Sequence, residues 1–202
     1  MNIVDVYKTL EQPSDETLFK EKGSKFFGYA FPVISEEEIK NAISEIKKTH
    51  HSARHWCYAW KLGVTPGRFR VNDDGEPNNS AGQPIYGQVL AFDITDVLVV
   101  VVRYFGGVKL GVGGLIRAYK ASAQLTLGES LIIEKTIEEK LELTFEYQFM
   151  NKVMRVIKQK RLKIHSQEMT SNCVMILSIK KSEIACIKTL FHTLHFLAVK
   201  SI

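Results

Sequence analysis

The sequence has few of the features that mark secreted, disulfide-bonded or membrane-spanning proteins. Its cysteines are odd in number and form no Cys-x-x-Cys pair, so a disulfide framework is not expected. No run of about 18 apolar residues occurs, so we expect no transmembrane helix and no membrane partner. The opening segment MNIVDVYKTLEQPSDE lacks the basic start and apolar core of a secretory signal. We therefore expect a cytoplasmic protein. Its three cysteines are Cys57, Cys173 and Cys186.

Charge is unbalanced only in the last third of the chain. The 202 residues carry a formal net charge of +5 and are 45% hydrophobic, which is enough for packed cores. Residues 1–135 hold 16 Lys or Arg and 16 Asp or Glu, whereas residues 136–202 hold 11 and 6. A basic module favours a phosphate-rich or acidic partner. Ordinary solubilising lysines are the alternative interpretation.

Hydrophobic patterning predicts alternating strands and helices in residues 1–135. Ser35 followed by three glutamates is typical of a capped helix start, and apolar spacing extends that helix over 36–49. The β-branched run Val97–Tyr104 predicts a strand buried on both faces. Its exit enters a glycine loop and then a helix from about Leu115 to Leu127. Further strands are predicted at Ser24–Val33, His55–Leu62, Arg68–Val71 and Leu131–Ile133, and a further helix at Gly82–Phe92.

The C-terminal part follows a simpler pattern. Apolar residues alternate from Leu141 to Tyr147, which predicts a half-buried strand. The elements that follow complete the order β-α-β-β-α-β, the ferredoxin-like arrangement. A join rich in charge, Glu134–Glu139, separates this part from the rest. We therefore predict an α+β protein with two domains, 1–135 and 136–202.

The glycine-rich stretch RYFGGVKLGVGGLIRAY, residues 103–119, is the main candidate site. It leaves a strand and enters a helix, whose N-terminal N–H groups attract anions. It is neither a Walker A loop nor a dinucleotide fingerprint, because Leu115 and Ile116 stand where those motifs need other residues. Tight turns and close packing are the alternative reason for the glycines. The candidate anion or nucleic-acid-binding residues are Arg103, Gly106, Gly107, Lys109, Gly111, Gly113, Gly114 and Arg117.

An acidic loop precedes the predicted helix Gly82–Phe92. Asp73, Asp74 and Glu76 form a candidate site for a hard cation such as Mg²⁺, since carboxylate oxygens suit it. Two alternatives stay open: pairing with Arg103 or Arg117, and a solvated turn bent at Asp-Gly. The spacing of an EF-hand is absent, so we assign no metal.

Histidine and cysteine do not form a recognised catalytic motif. His51 and His55 would share one face of a helix, but His55 begins a predicted strand, and His192 and His195 lack a third ligand. His55 beside Cys57 suggests a thiol nucleophile only if a third group orients the base. Neither Gly-x-Ser-x-Gly nor His-Glu-x-x-His occurs. We expect no catalytic residue and no cofactor.

Aromatic residues alternate along the predicted strand His55–Leu62 and share one of its faces. An exposed face of this kind could stack nucleic-acid bases, whereas a place in the core is the commoner role. Both alternatives stay open for this face; its residues are Trp56, Tyr58 and Trp60.

Four long segments together resemble the IMPACT/YigZ family over about residues 15–130. The C-terminal module resembles the extra domain of the bacterial YigZ-type members. These segments are ARHWCYAW (53–60), DDGEP (73–77), AGQPI (81–85) and RYFGGVKLGVGGLIRAY (103–119).

The resemblance implies a fold and a function. It implies that residues 1–135 are similar to domain IV of elongation factor G, a βαβ fold shared with a small-subunit ribosomal protein. It implies that residues 136–202 are similar to the last domain of that factor. The implied function is binding of RNA or the ribosome, linked to translation or its regulation, with a translation factor or regulatory protein as a further partner.

Three functions therefore compete on the sequence alone. The first is a nucleic-acid-binding protein that contacts RNA phosphates through the glycine stretch. The second is an enzyme that acts on a small phosphorylated or nucleotide ligand, with Asp74 and Glu76 as metal ligands or acid/base groups. The third is a protein–protein adaptor. We favour the first, and the oligomeric state stays open.

Overall fold

The structure is a computed structural model that describes residues 5–64 and 67–202. Among these residues no helix is both long and apolar enough to cross a bilayer. The strands and helices are β1 Val6–Leu10, β2 Thr17–Glu21, β3 Ser24–Pro32, α1 Glu36–Thr49, β4 His55–Leu62, β5 Arg68–Asn72, α2 Gly82–Ala91, β6 Val97–Tyr104, α3 Gly111–Gly128, β7 Ile132–Thr136, β8 Glu138–Glu146, α4 Met150–Lys160, β9 Lys163–Glu168, β10 Asn172–Lys180, α5 Ile184–His192 and β11 Leu197–Ser201.

The chain divides into two compact units. One is Tyr7–Lys135, and the other combines Thr136–Ile202 with Asp5 and Val6. The charged join Glu134–Glu139 is not an irregular linker, because β7 continues to Thr136 and β8 begins at Glu138. Between them the Ile137 N–H donates to the Asp5 carbonyl at 2.6 Å, so even the intervening residue is hydrogen-bonded.

The first unit is built on a five-stranded antiparallel sheet in the order β2-β3-β6-β4-β5. Both β3 and β4 pair with β6, so they run parallel to each other with β6 between them. Helix α1 connects β3 to β4. The long connection therefore leaves a gap in the sheet that a later strand fills.

Helices cover both faces of this sheet. Side chains of α2 and α3 pack on one face with Phe26, Cys57 and Val101, and α1 packs on the other face. Every residue from Val97 to Val102 is fully buried, which confirms the predicted strand with two covered faces. The aromatic face of β4 packs on the α1 side, as in the core alternative: Trp60 is buried there, and Trp56 and Tyr58 are partly buried against the same cluster.

Helix α1 spans the predicted residues, and Ser35 caps it by accepting the Glu38 N–H at 3.2 Å. Helix α3 instead begins at Gly111, one turn before the predicted start. Gly111 has a φ of +68°, which glycine adopts without strain, so the glycine segment itself forms the first turn. Strands β1 and β2 were not predicted. Each has only five residues and depends on a partner strand to form.

The second unit has a four-stranded antiparallel sheet in the order β11-β8-β10-β9. Alternate residues of β8 and β10 face a core that includes Val153 and Ile157 of α4 and Ile187 and Phe191 of α5. Both helices therefore cover the same face, which explains the period-two pattern of β8. The described residues confirm the predicted α+β class, and the sheets of both units are antiparallel.

Candidate functional site

Three strand ends meet at one end of the first unit's sheet, where β3 and β4 begin and β6 ends. Arg103 lies between Phe26 of β3 and His55 of β4, and Tyr104 lies beside Lys25. Neighbouring residues of a strand point to opposite faces, so Arg103 and Tyr104 separate two polar groups of side chains.

The first group, called the arginine cluster, comprises Arg103, Glu76, Tyr119, Cys57 and Ser24. Arg103 Nη1 donates to Glu76 Oε1 at 2.7 Å, and the Tyr119 hydroxyl donates to the same oxygen at 2.8 Å. The side chains of Arg103 and Glu76 are 8% and 4% exposed, so this ion pair is buried. Within the described residues the Arg103 Nε–H has no acceptor. The positive charge of Arg103 is thus neutralised inside the fold.

The thiol of Cys57 belongs to the same cluster and is buried there. Its Sγ lies 3.0 Å from the Asp73 carbonyl and 3.3 Å from the Tyr119 hydroxyl. Burial raises the pKa of Cys57 well above its ordinary value, and burial likewise raises the pKa of Tyr119. His55 does not contact the thiol as a base, because its Nδ1 is engaged with the Asp74 carbonyl at 2.9 Å.

The carboxylates of the acidic loop accept hydrogen bonds that hold the loop in place. Asp73 Oδ1 accepts the N–H groups of Ala81 and Gly82 at 2.9 and 2.8 Å, which caps the start of α2 from a distance in the chain. Asp74 Oδ2 accepts the Trp56 N–H at 2.7 Å. With Glu76 bound to Arg103, all three acids have partners. In residues 5–64 and 67–202 no group of three or more His, Cys, Asp or Glu side chains is placed to hold a metal ion.

The glycines of the loop serve different purposes. A Cβ at Gly106 would lie 1.9 Å from the Gly23 carbonyl carbon, so these two backbones approach as only glycines allow. Gly107 and Gly111 have φ values of +87° and +68°, with open space where a side chain would stand. Gly114 is buried, and its Cβ position lies 3.0 Å from Leu110. Packing accounts for Gly106 and Gly114, and backbone conformation accounts for Gly107 and Gly111.

The start of α3 is exposed and uncapped. Among the residues that the structure describes, no side chain caps its first N–H groups, and its first turn has no acidic residue. The Gly113 Cβ position is 3.7 Å from Arg117 Nη1, so the guanidinium lies over a glycine on the exposed face of the helix. Lys109 and Arg117 are both exposed, and neither has an ion-pair partner in the described part of the chain. The structure thus brings Gly113 and Arg117 together, leaves Lys109 exposed two residues before α3, and holds Arg103 in the buried pair with Glu76.

The second group, called the histidine chain, lies on the opposite face and was not predicted. It comprises Glu16, Tyr29, His50 and Tyr104. The Tyr29 hydroxyl donates to Glu16 Oε2 and contacts His50 Nε2, and His50 Nδ1 lies 3.0 Å from the Tyr104 hydroxyl. Burial lowers the pKa of His50, an effect that the nearby Glu16 carboxylate partly opposes. Burial and the contact with Glu16 raise the pKa of Tyr29.

The histidine chain ends at a pocket of about 380 Å³. Tyr104 and His50 line it together with the aromatic rings of Phe27 and Phe105 and the exposed Lys25. The sequence offered one signal for this site: Tyr29 and Tyr104 fall on the inward face of predicted strands, where a polar group needs a partner. His50 caps the end of α1, and its own backbone N–H bonds to the Ile46 carbonyl.

Fold and site define an α+β protein in which a glycine-rich loop enters an uncapped helix beside two buried polar clusters. Residues 22–127 match the Impact N-terminal domain. The IMPACT family member YvyE of Bacillus subtilis is 33% identical over 165 residues, which cover 80% of this chain and 76% of that protein. YigZ of Escherichia coli is 28% identical over 166 residues, 81% of each chain.

The chain belongs to the IMPACT family. A solved structure described as that of a hypothetical protein covers 99% of this chain and 98% of its own, with a TM-score of 0.74 and 24% identity. That likeness extends over both units and concerns the fold alone.

Proposed function

We propose that this protein binds RNA phosphates at the start of α3 and acts with the ribosome or another part of the translation apparatus. The observation that carries the proposal is the exposed, uncapped N-terminus of α3 with Lys109 and Arg117 beside it. The first N–H groups of a helix and its macrodipole attract an anion. Gly111 and Gly113 leave those groups accessible, because no Cβ shields them.

Exposed apolar side chains surround this cationic surface. They supply contacts for sugars and unstacked bases, which proteins that bind single-stranded nucleic acid use beside phosphate contacts. The residues are Phe105, Val108, Val112 and Ile116. Arg103 and Gly106 act indirectly, since one is ion-paired with Glu76 and the other fixes the loop against Gly23.

The second unit adds a basic surface of its own. The solvent-facing side of α4 and the turn after it is rich in exposed cations, which fits the positive charge of residues 136–202. We propose that this unit has the ferredoxin-like fold and that the first unit is similar to domain IV of elongation factor G. The exposed cations are Lys152, Arg155, Lys158, Lys160 and Arg161.

The proposal is tested by measuring RNA affinity as a function of salt concentration. A protein that contacts phosphates releases counterions, so affinity falls with salt. Lys109→Ala and Arg117→Ala should each weaken binding of unrelated single-stranded RNAs to a similar extent and reduce the salt slope by about one. Lys48→Ala is the matched control, because Lys48 is equally exposed but pairs with Glu45 on α1.

Two outcomes would contradict the proposal. Wild-type affinity and slope in the double variant Lys109→Ala/Arg117→Ala would remove the site. Absence of RNA binding by the wild type at low salt would favour the adaptor function, in which the same exposed surface contacts a protein.

A further inference from the structure

The histidine chain has no part in the proposed phosphate site, and its pocket shares Phe105 with the apolar residues proposed to contact RNA. Four polar side chains from separate segments converge here: a loop supplies Glu16, β3 supplies Tyr29, the end of α1 supplies His50 and β6 supplies Tyr104. His50 is 7% exposed and lies between two tyrosines. The arrangement connects a pocket at one end with a carboxylate at the other.

Each hydrogen bond of the histidine chain is donated in the direction from Tyr104 towards Glu16. A carboxylate only accepts, so the single proton of the Tyr29 hydroxyl is donated to Glu16. The Tyr29 oxygen must then accept from His50 Nε2–H. Neutral imidazole carries its proton on one nitrogen, which leaves Nδ1 free to accept the Tyr104 hydroxyl proton.

This direction gives His50 the position of a base for Tyr104. Its other ring nitrogen is held by an oriented partner, the arrangement by which a third group orients a catalytic histidine. Burial lowers the pKa of His50, which favours the neutral imidazole that a base requires. Glu16 is 48% exposed in its side chain and can pass a proton to water.

The pocket indicates what kind of molecule Tyr104 would meet. Phe27 packs edge-on against the Tyr104 ring at a centroid distance of 5.7 Å, and Phe105 lies at the rim. Lys25 stands beside Tyr104 in the strand register and supplies a positive charge. Aromatic walls, one cation and a volume of about 380 Å³ suit a small planar anion.

We propose that Tyr104 is the reactive group of a small-molecule site, and that the histidine chain removes its hydroxyl proton when its oxygen bonds to an electrophilic centre of an aromatic or heterocyclic anion. The new bond forms at the Tyr104 oxygen while the leaving group departs with its bonding electron pair. The Tyr104 proton moves to His50 Nδ1, the Nε2 proton to Tyr29, and the Tyr29 proton to Glu16 and then to water. No oxidant or metal is required.

The probe that tests the proposal is 4-(fluorosulfonyl)benzoate. It offers a ring to Phe27 and Phe105, a carboxylate to Lys25 and a sulfur to Tyr104, and the sulfonyl ester forms as fluoride leaves. Labelling sites and rates are measured by peptide mass spectrometry. Tyr147 serves as a reference inside the same molecule, because it is 62% exposed and its hydroxyl has no hydrogen bond within the described residues.

We expect Tyr104 to be labelled about a hundredfold faster than Tyr147, the lower end of what a positioned base contributes. His50→Gln should abolish most of this advantage, and Tyr29→Phe should reduce it while leaving the Tyr104 contact in place. Lys25→Met should raise the half-saturating concentration of the anionic probe but leave unchanged the labelling by neutral benzenesulfonyl fluoride. That pattern separates binding by Lys25 from activation by His50.

The proposal is overturned if Tyr104 reacts no faster than Tyr147, or if His50→Gln and Tyr29→Phe both leave the Tyr104 rate unchanged. Thermal unfolding of each variant establishes that it is folded; if His50→Gln does not fold, Tyr29→Phe decides. RNA affinity measured on His50→Gln and Tyr29→Phe should stay at the wild-type value, so failure here leaves the phosphate site unaffected.

Discussion

Two polar groups of side chains lie on opposite faces of the same strand end, separated only by the step from Arg103 to Tyr104. In the arginine cluster a buried cation, carboxylate and phenol bond to one another, Cys57 completes the group, and within the described residues the Arg103 Nε–H is left without an acceptor. In the histidine chain the last member, Tyr104, borders an open pocket, and the first, Glu16, borders solvent.

The difference lies in how each group ends rather than in which residues it contains. A closed cluster fixes a fold, because removing one partner leaves the others unpaired in a dry interior. An open chain can exchange protons or ligands with its surroundings. The acidic DDGEP loop is the most prominent charged motif of the sequence, yet it belongs to the closed group.

The largest expected effect is the loss of stability in Glu76→Gln. It leaves the Arg103 charge buried without a counter-ion, which should lower the free energy of unfolding by about 3–5 kcal/mol. Urea denaturation measures this value. Glu36→Gln, which breaks the exposed pair with Arg68, should cost under about 1 kcal/mol. Equal effects of the two variants would end the distinction between a closed cluster and the protein surface.

The second effect concerns the middle of the histidine chain. Tyr29→Phe removes the hydroxyl that joins Glu16 to His50 and leaves the Nε2–H without its acceptor. An unsatisfied buried donor costs about 1–3 kcal/mol, so the loss of stability should be smaller than in Glu76→Gln. The same denaturation experiment compares the two variants. A Tyr29→Phe protein as stable as the wild type would indicate that the hydroxyl contacts water rather than His50.

A third effect appears on acidification. Burial lowers the pKa of His50 in the folded protein, whereas an unfolded chain protonates histidine near pH 6.5. The unfolded state then binds more protons, so stability should fall as the pH drops below about 6.5. The groups that face His50 are Glu16, Tyr29, Tyr104 and Lys25 across the pocket. His50→Gln should reduce the dependence of the free energy of unfolding on pH below about 6.5. An unchanged dependence would show that other residues cause the loss of stability.

The smallest effect is expected at the phosphate site. Lys109→Ala should change the free energy of unfolding by no more than about 0.5 kcal/mol, since an exposed lysine without an ion pair contributes little. Chemical denaturation of this variant and of Glu76→Gln compares the loss of stability at the surface with the loss in the closed cluster. A loss above about 1 kcal/mol would mean that Lys109 has a structural role.

Local pattern predicted most of the secondary structure because period and capping are properties of neighbouring residues. Helix α1 begins after Ser35, and the Val97–Val102 run is buried on both faces. Pattern failed at β1 and β2, which have only five residues each: β1 forms a strand against the distant β7, and β2 forms one in a hairpin with β3. It left the burial of the aromatic face of β4 undecided, because covering of that face depends on where α1 packs.

By itself the sequence determined the fold class, the family and the glycine-rich entry to α3. The distinction between closed and open clusters was decided by tertiary structure. His50 meets Tyr104 across 54 residues because β6 inserts between β3 and β4, and the same insertion carries Arg103 to Glu76. Periodicity states which face a side chain occupies, but the identity of its neighbour follows from the order of strands in the sheet, which long-range burial fixes.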